Sequence, residues 1–273
     1  MKAKLLNYLR YIFVGLIVAM FMFPIVWVIM LSLKPPEYNF TIPPSFIFPP
    51  TLRHYWWSLV DPGYYNKHIY NSIILSSVAT VMAIALSAPA AYAFSRFGFK
   101  LKNFLMGWYL GLYLAPPIVF LTPYYFIMKS LGLIGTYPAI WIAFQIFSVP
   151  LGVWLLKNFF DEVPRELEEA AMLDGCGRLR ALIHIILPVG APGFIITALF
   201  IFVFCWNNLL FPMALGGPEV KPLTLSTMEH FRMIGVTWNY IATGSVFIMT
   251  IPAIIFIIFR RYLVRGLMLG AAR

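Results

Sequence analysis

The sequence predicts an all-α, polytopic membrane protein: six transmembrane helices and one long cytoplasmic loop with helices of its own. Three observations carry this. First, 61% of the 273 residues are hydrophobic and only 11% are charged, too little charge for a water-facing surface and suited to a bilayer. Second, uncharged stretches recur along the chain, each long enough to cross about 30 Å of hydrocarbon as a helix. Third, the basic residues gather at the ends of those stretches and not in a nucleic-acid-binding patch, although the net charge is +10.

The elements follow in order. Lys2, Lys4 and Arg10 precede the first span, 11–33, and no small-x-small cleavage site follows it, so it reads as an uncleaved span. The segment from Lys34 to His68 contains "KPPEYNFTIPPSFIFPP", whose prolines favour an extended course. The second and third spans are 69–95 and 103–128, and the third carries Gly107 and Gly111 as a GxxxG. Lys129, "GLIGTYP" and Pro138 mark a turn before the fourth span, 137–156. A charged loop, 161–188, leads to the fifth span, 185–211. "GGPEVKPLTLSTMEHFR" then begins with helix breakers, has helix potential later, and leads to the sixth span, 238–260. Either long outer segment could cap the bundle or touch an external partner. Fourteen of the twenty Lys and Arg residues fall on the side holding both termini and six on the other, which places both termini in the cytoplasm of a multi-pass cell-membrane protein.

Chemistry is narrowed by what the spans lack. Apart from Arg260, the last residue of the sixth, none contains Asp, Glu, Lys, Arg or His, the usual marks of proton relays and ion coupling. There is no GxxxxGK[ST] phosphate loop, no HExxH and no His/Cys cluster. Cys176 and Cys205 are too few for a disulfide framework. No catalytic constellation is present, so any energy for uphill movement must come from another chain. Uncharged polar residues do lie at depth: Asn71 in the second span, Gln145 in the fourth, and Trp206, Asn207 and Asn208 near the end of the fifth. Each is either interhelical glue or a lining of the solute path.

The loop 161–188 reads as two short helices. "PRELEEAAMLD" begins with Pro164, a residue suited to a first helical turn, and places Leu167, Ala170, Ala171 and Asp174 on one face. Glu166, Glu168 and Glu169 complement the helix dipole early, and Gly175 ends the helix in a left-handed conformation. "RLRALIHIILP" starts the second helix. The small surface and exposed carboxylates fit a docking helix.

Glu169-Ala170-Ala171, three residues, Gly175, nine residues, Ile185, one residue and Leu187-Pro188 resemble the EAA motif of ABC importer permeases. "SLKPPEYNF", "AAYAFSRFGF", "LPVGAPG" and "FCWNNLLFP" are similar to the sugar-importer branch, of the maltose-type second permease kind. The resemblance implies a type I importer permease that is not itself an enzyme and holds no cofactor. ATP and Mg would bind to partner ATPases. It implies a second permease subunit, two ATP-binding subunits, an extracytoplasmic sugar-binding protein and surrounding membrane lipid as partners, and no nucleic acid. Glu169, Ala170, Ala171, Asp174, Gly175, Leu187 and Pro188 would form the coupling element, with Glu169 near an ATPase arginine. Two departures stand out. Cys176-Gly177 replaces the hydroxyl-bearing pair common after Asp-Gly, and the tail ends in Ala-Ala-Arg. The competing reading is a passive channel whose loop binds a cytoplasmic regulator.

Overall fold

A computed structural model describes residues 2–60, 64–232, 235–236 and 238–270. Arg273 and the rest of the Ala-Ala-Arg tail lie outside them. The helices are α1 (Lys2–Leu33), α2 (Arg53–Val60), α3 (Asn66–Arg96), α4 (Lys102–Leu114), α5 (Pro117–Ser130), α6 (Tyr137–Glu162) and α7 (Arg165–Leu173). They continue with α8 (Arg178–Val189), α9 (Ala191–Asn207), α10 (Leu210–Leu215), α11 (Leu223–Met228) and α12 (Trp238–Gly270). A two-residue antiparallel pairing joins Phe231–Arg232 to Gly235–Val236. Among the described residues, four helices are long and apolar enough to cross a membrane, or six if each of two bent pairs counts as one span.

The bends are where the structure departs from straight spans. The stretch 103–128 is two helices, α4 and α5, meeting at 90°. Tandem Pro116-Pro117 causes this. A residue before proline is driven out of the helical region, and Ala115 and Pro116 are both extended, with ψ of 142° and 126°. The fifth stretch begins earlier than expected, at Arg178, and turns by 82° at Gly190 between α8 and α9. Five residues of α8, Leu182–Ile186, form a π-helical segment. α2 is an element that the proline-rich reading of 34–68 did not anticipate.

The chain forms two compact units, Met1–Lys67 with Ser226–Thr250, and His68–Leu225 with Ile251–Arg273. In the first, the most apolar 18-residue window of α1, within Asn7–Leu33, has no residue buried against protein, and burial begins only at its end, with Ser32. The end of α1 is tied to the start of α12 by the Asn239 amide, which donates to the Leu31 carbonyl at 3.1 Å. The Tyr65 hydroxyl donates to the Tyr240 carbonyl at 3.0 Å.

In the second unit the core lies among α3, α6, α9 and α10. Leu75, Ala79 and Ala83 of α3 meet Phe144, Phe147 and Leu151 of α6, with Ile201 of α9 and Phe211 of α10. Small side chains let these helices approach closely where lipid offers no hydrophobic drive. The limit is reached at Gly193, where an added Cβ would overlap the ring of Phe159. The segment after α10 caps this bundle. The His68 imidazole lies 3.0 Å from the Lys221 carbonyl, and the Leu223 amide donates to Ser72 Oγ at 2.8 Å.

Candidate functional site

The end of α3 carries Tyr92, Ser95 and Arg96. Residues three and four apart share a helix face, so the phenol and the guanidinium point the same way. Both reach Glu168 of α7. Arg96 Nε donates to Glu168 Oε2 at 2.9 Å, and the Tyr92 hydroxyl donates to Glu168 Oε1. The Arg96 and Glu168 side chains are only 5% and 6% exposed. Arg96 Nη2 also donates to the Val163 carbonyl at 2.9 Å. Beside this pair, Ser95 Oγ donates to Asp161 Oδ1 at 2.7 Å, and Asp161 pairs with Lys157. A buried ion pair is viable only when its remaining hydrogen-bonding groups are also satisfied, and this one is.

α7 starts one residue later than the sequence implied. Pro164 is its N-cap, with ψ of 134°, and Arg165 is the first helical residue. Glu168 and Ala171 turn inward, while Glu169, Ala170, Leu173 and Asp174 face outward. The two alanines therefore divide: Ala171 packs within the chain and Ala170 is free for a partner. Leu173 is 90% exposed, a large apolar side chain with no cover from this chain. Among the described residues, neither Glu169 nor Asp174 has a side-chain partner. Gly175 takes φ +86°. The Gly175 amide donates to the Met172 carbonyl at 3.1 Å and the Cys176 amide to the Ala171 carbonyl at 3.0 Å. This is the Schellman closure that a left-handed residue after a helix produces. Gly177 then caps α8 through its backbone alone.

Behind this turn, Arg178 lies over the Phe97 ring at 4.6 Å. Arg96, Arg165, Arg178, Glu168, Glu169 and Met172 line a polar recess of about 160 Å³. Leu187 and Pro188 are exposed near the end of α8, which is held by Leu182 and Ile186 packed against Ala88, Ala91, Leu156 and Phe160. No cluster of metal-ligating side chains occurs among the described residues.

The path candidates are not gathered in one place. Asn71 is buried. Its amide donates to the Glu219 and Lys221 carbonyls at 2.8 and 2.9 Å, and it accepts from the Tyr137 hydroxyl at 2.6 Å. Gln145 donates to the Trp141 carbonyl at 2.8 Å and leaves its buried carbonyl oxygen unpartnered. Trp206 is buried and stacks on Phe202. Asn208 accepts from the Phe211 amide at 3.2 Å and so caps α10. Asn207 is exposed and bonds back to the Val203 carbonyl at 2.9 Å.

Sequence reasoning missed Tyr92, Arg96 and the inward role of Glu168. The signal available was a phenol and a guanidinium four residues apart in "AAYAFSRFGF", facing a double glutamate.

The sequence profile described as the binding-protein-dependent transport system inner membrane component matches residues 81–268, a range that includes Arg96, Glu168 and Gly175. The trehalose transport system permease protein SugB of Mycobacterium tuberculosis is 32% identical, over 94% of this chain and 94% of that protein. The trehalose/maltose transport system permease protein MalG of Thermococcus litoralis is 32% identical, over 92% and 91%. In fold, the chain is similar to a subunit of a bacterial ABC transporter involved in the import of the acidic polysaccharide alginate. The TM-score is 0.76 at 18% identity, covering 96% of this chain and 97% of that one. With its helical spans and its charged α7–α8 element, this chain belongs to the family of binding-protein-dependent transport system inner membrane components.

Proposed function

We propose that the chain is the permease of an ATP-driven sugar importer and that α7 is its point of coupling to a separate ATPase. The observation that carries this is the arrangement of α7. One carboxylate, Glu168, is locked inward by Arg96 and Tyr92, while the next, Glu169, is presented outward beside a bare Leu173. A helix fixed on one side and left uncovered on the other is fitted to pass force from a docked partner into α3. The spans hold no ionisable residue that could couple transport to an ion gradient, so ATP hydrolysis in partner subunits supplies the drive. On this reading the loop and both termini are cytoplasmic. The complex contains a second permease, two ATP-binding subunits and an extracytoplasmic binding protein. The names of the two relatives, for trehalose and trehalose/maltose transport, favour a sugar as the solute.

The test is reconstitution with the cognate ATPase and binding protein. Sugar-loaded binding protein should stimulate ATP hydrolysis, and Glu169→Ala should abolish the stimulation. Sugar movement through the permease without ATPase would instead support a passive channel. For the path, Asn207→Ala should change transport KM with assembly intact. Asn208→Ala should cost about 1 kcal/mol of stability, the loss of a helix cap. If Asn207→Ala leaves KM unchanged, the solute is held elsewhere.

A further inference from the structure

α2 is built inside out. Its buried residues are His54 and Ser58, whose hydroxyl donates to the His54 carbonyl at 2.6 Å. Its outward residues are Arg53 at the first turn and then Trp56, Trp57, Leu59 and Val60, with Trp56 68% exposed. The chain before it is equally apolar and uncovered, with Ile42 and Ile47 both more than 90% exposed. A helix facing water shows the opposite pattern, and an apolar patch of this kind marks an interaction surface.

The position of α2 identifies what it meets. The apolar stretch of α1 has 27 residues, about 40 Å of helix at 1.5 Å per residue. That is the thickness of a bilayer with its headgroups, about 40–45 Å. The end of α1 therefore falls at headgroup level, and three contacts hold α2 and its lead-in segment there. The Thr51 amide donates to the Leu33 carbonyl at 2.8 Å. The Ser32 and Tyr55 hydroxyls lie 2.6 Å apart. The buried Lys34 ammonium donates to the Ser45 carbonyl at 2.9 Å. Tryptophan is the side chain enriched at this depth. The outward face has no carboxylate and continues the uncovered apolar surface of α1.

We propose that α2 lies in the membrane plane at the end of α1, with Trp56, Trp57 and Leu59 inserted among lipid headgroups and upper acyl chains. It would be an interfacial anchor that fixes the depth of α1.

The experiment uses the complete importer in vesicles of lipids brominated either high on the acyl chain or near its end. Tryptophan emission of wild type is compared with a Trp56→Phe/Trp57→Phe variant, which removes two of the eight tryptophans. The emission lost in the variant should be blue-shifted and quenched more strongly by the shallow bromines. Quenching of that emission by aqueous iodide alone would overturn the proposal by placing α2 in water. Quenching by neither would overturn it in favour of a protein partner covering the helix. Independently, a nitroxide at Leu59→Cys, in a Cys176→Ser/Cys205→Ser background, should be more accessible to oxygen than to a water-soluble nickel chelate. The reverse order would also overturn the proposal.

Discussion

Helices α2 and α7 are almost the same length, eight and nine residues, and each lies next to a long apolar helix. Each also turns a polar residue inward. They differ in how that residue is satisfied and in what is left outside. In α7 the inward group is a carboxylate, neutralised by Arg96 and bonded by Tyr92. In α2 it is His54, whose ring lies near the Lys34 backbone and edge-on to Tyr240 but makes no well-formed hydrogen bond among the described residues. Outside, α7 shows charges with Leu173 among them, whereas the last turns of α2 show tryptophan and aliphatic side chains. An ion pair fixes orientation, because it costs far more to break than to keep. A neutral imidazole permits burial without fixing much. The stiffer inner contact belongs to the helix proposed to carry force, and the softer one to the helix proposed to rest on lipid.

The largest effect should come from removing the ion pair. Arg96→Ala leaves Glu168 buried and uncompensated and should cost about 3–5 kcal/mol, read as a loss of thermal stability in detergent. Arg96→Met combined with Glu168→Leu should recover much of that stability without restoring coupling. Full restoration of coupled ATP hydrolysis by the double variant would make the pair merely structural and erase its contrast with α2.

A smaller effect is expected where α7 ends. An added Cβ at Gly175 meets no atom within 4 Å, so the cost lies in the left-handed backbone alone. Gly175→Ala should cost about 1–2 kcal/mol, and Gly175→Val more, because a β-branched side chain at positive φ also clashes with its own backbone. An alanine variant as stable as wild type would show that the turn does not need a left-handed residue. Glu169→Ala should change stability by no more than about 0.5 kcal/mol, as for an exposed residue away from special features, while uncoupling ATP hydrolysis. If it destabilises as Arg96→Ala does, the inward and outward carboxylates do not differ in kind.

The smallest effect concerns α2 and pH. Burial holds the His54 pKa below the ordinary imidazole value of 6.5. Arg53 acts in the same direction, and the Lys34 backbone and Glu37 act against it. The unfolded chain then binds this proton more readily than the folded one. His54 contributes stability above about pH 6.5, lost as pH falls toward its folded pKa. His54→Phe should flatten the acid limb of the stability–pH curve. An unchanged acid limb would mean that His54 is not buried neutral.

The left-handed Gly175, the break near 129–137 and the uncharged spans were legible because each follows from local rules: φ at glycine, turn chemistry and the exclusion of charge from hydrocarbon. Two bends were less legible. Pro116 and Pro117 were visible, but proline inside a span is often absorbed by neighbouring helices, and only the 90° angle shows that here it is not. α2 was illegible because sequence reading assumes that apolar residues face inward, and here they do not.

Composition and charge asymmetry alone determined a multi-pass helical protein, and the spacing of Glu169, Gly175 and Leu187-Pro188 alone marked its charged loop, because these depend only on near neighbours in the chain. Which of two adjacent glutamates is locked and which is free could be decided only by tertiary structure. Glu168 and Glu169 are chemically identical, and they are told apart by Arg96 and Tyr92, more than seventy residues away in sequence, where a helix turn of about 100° puts one carboxylate in the core and the next outside.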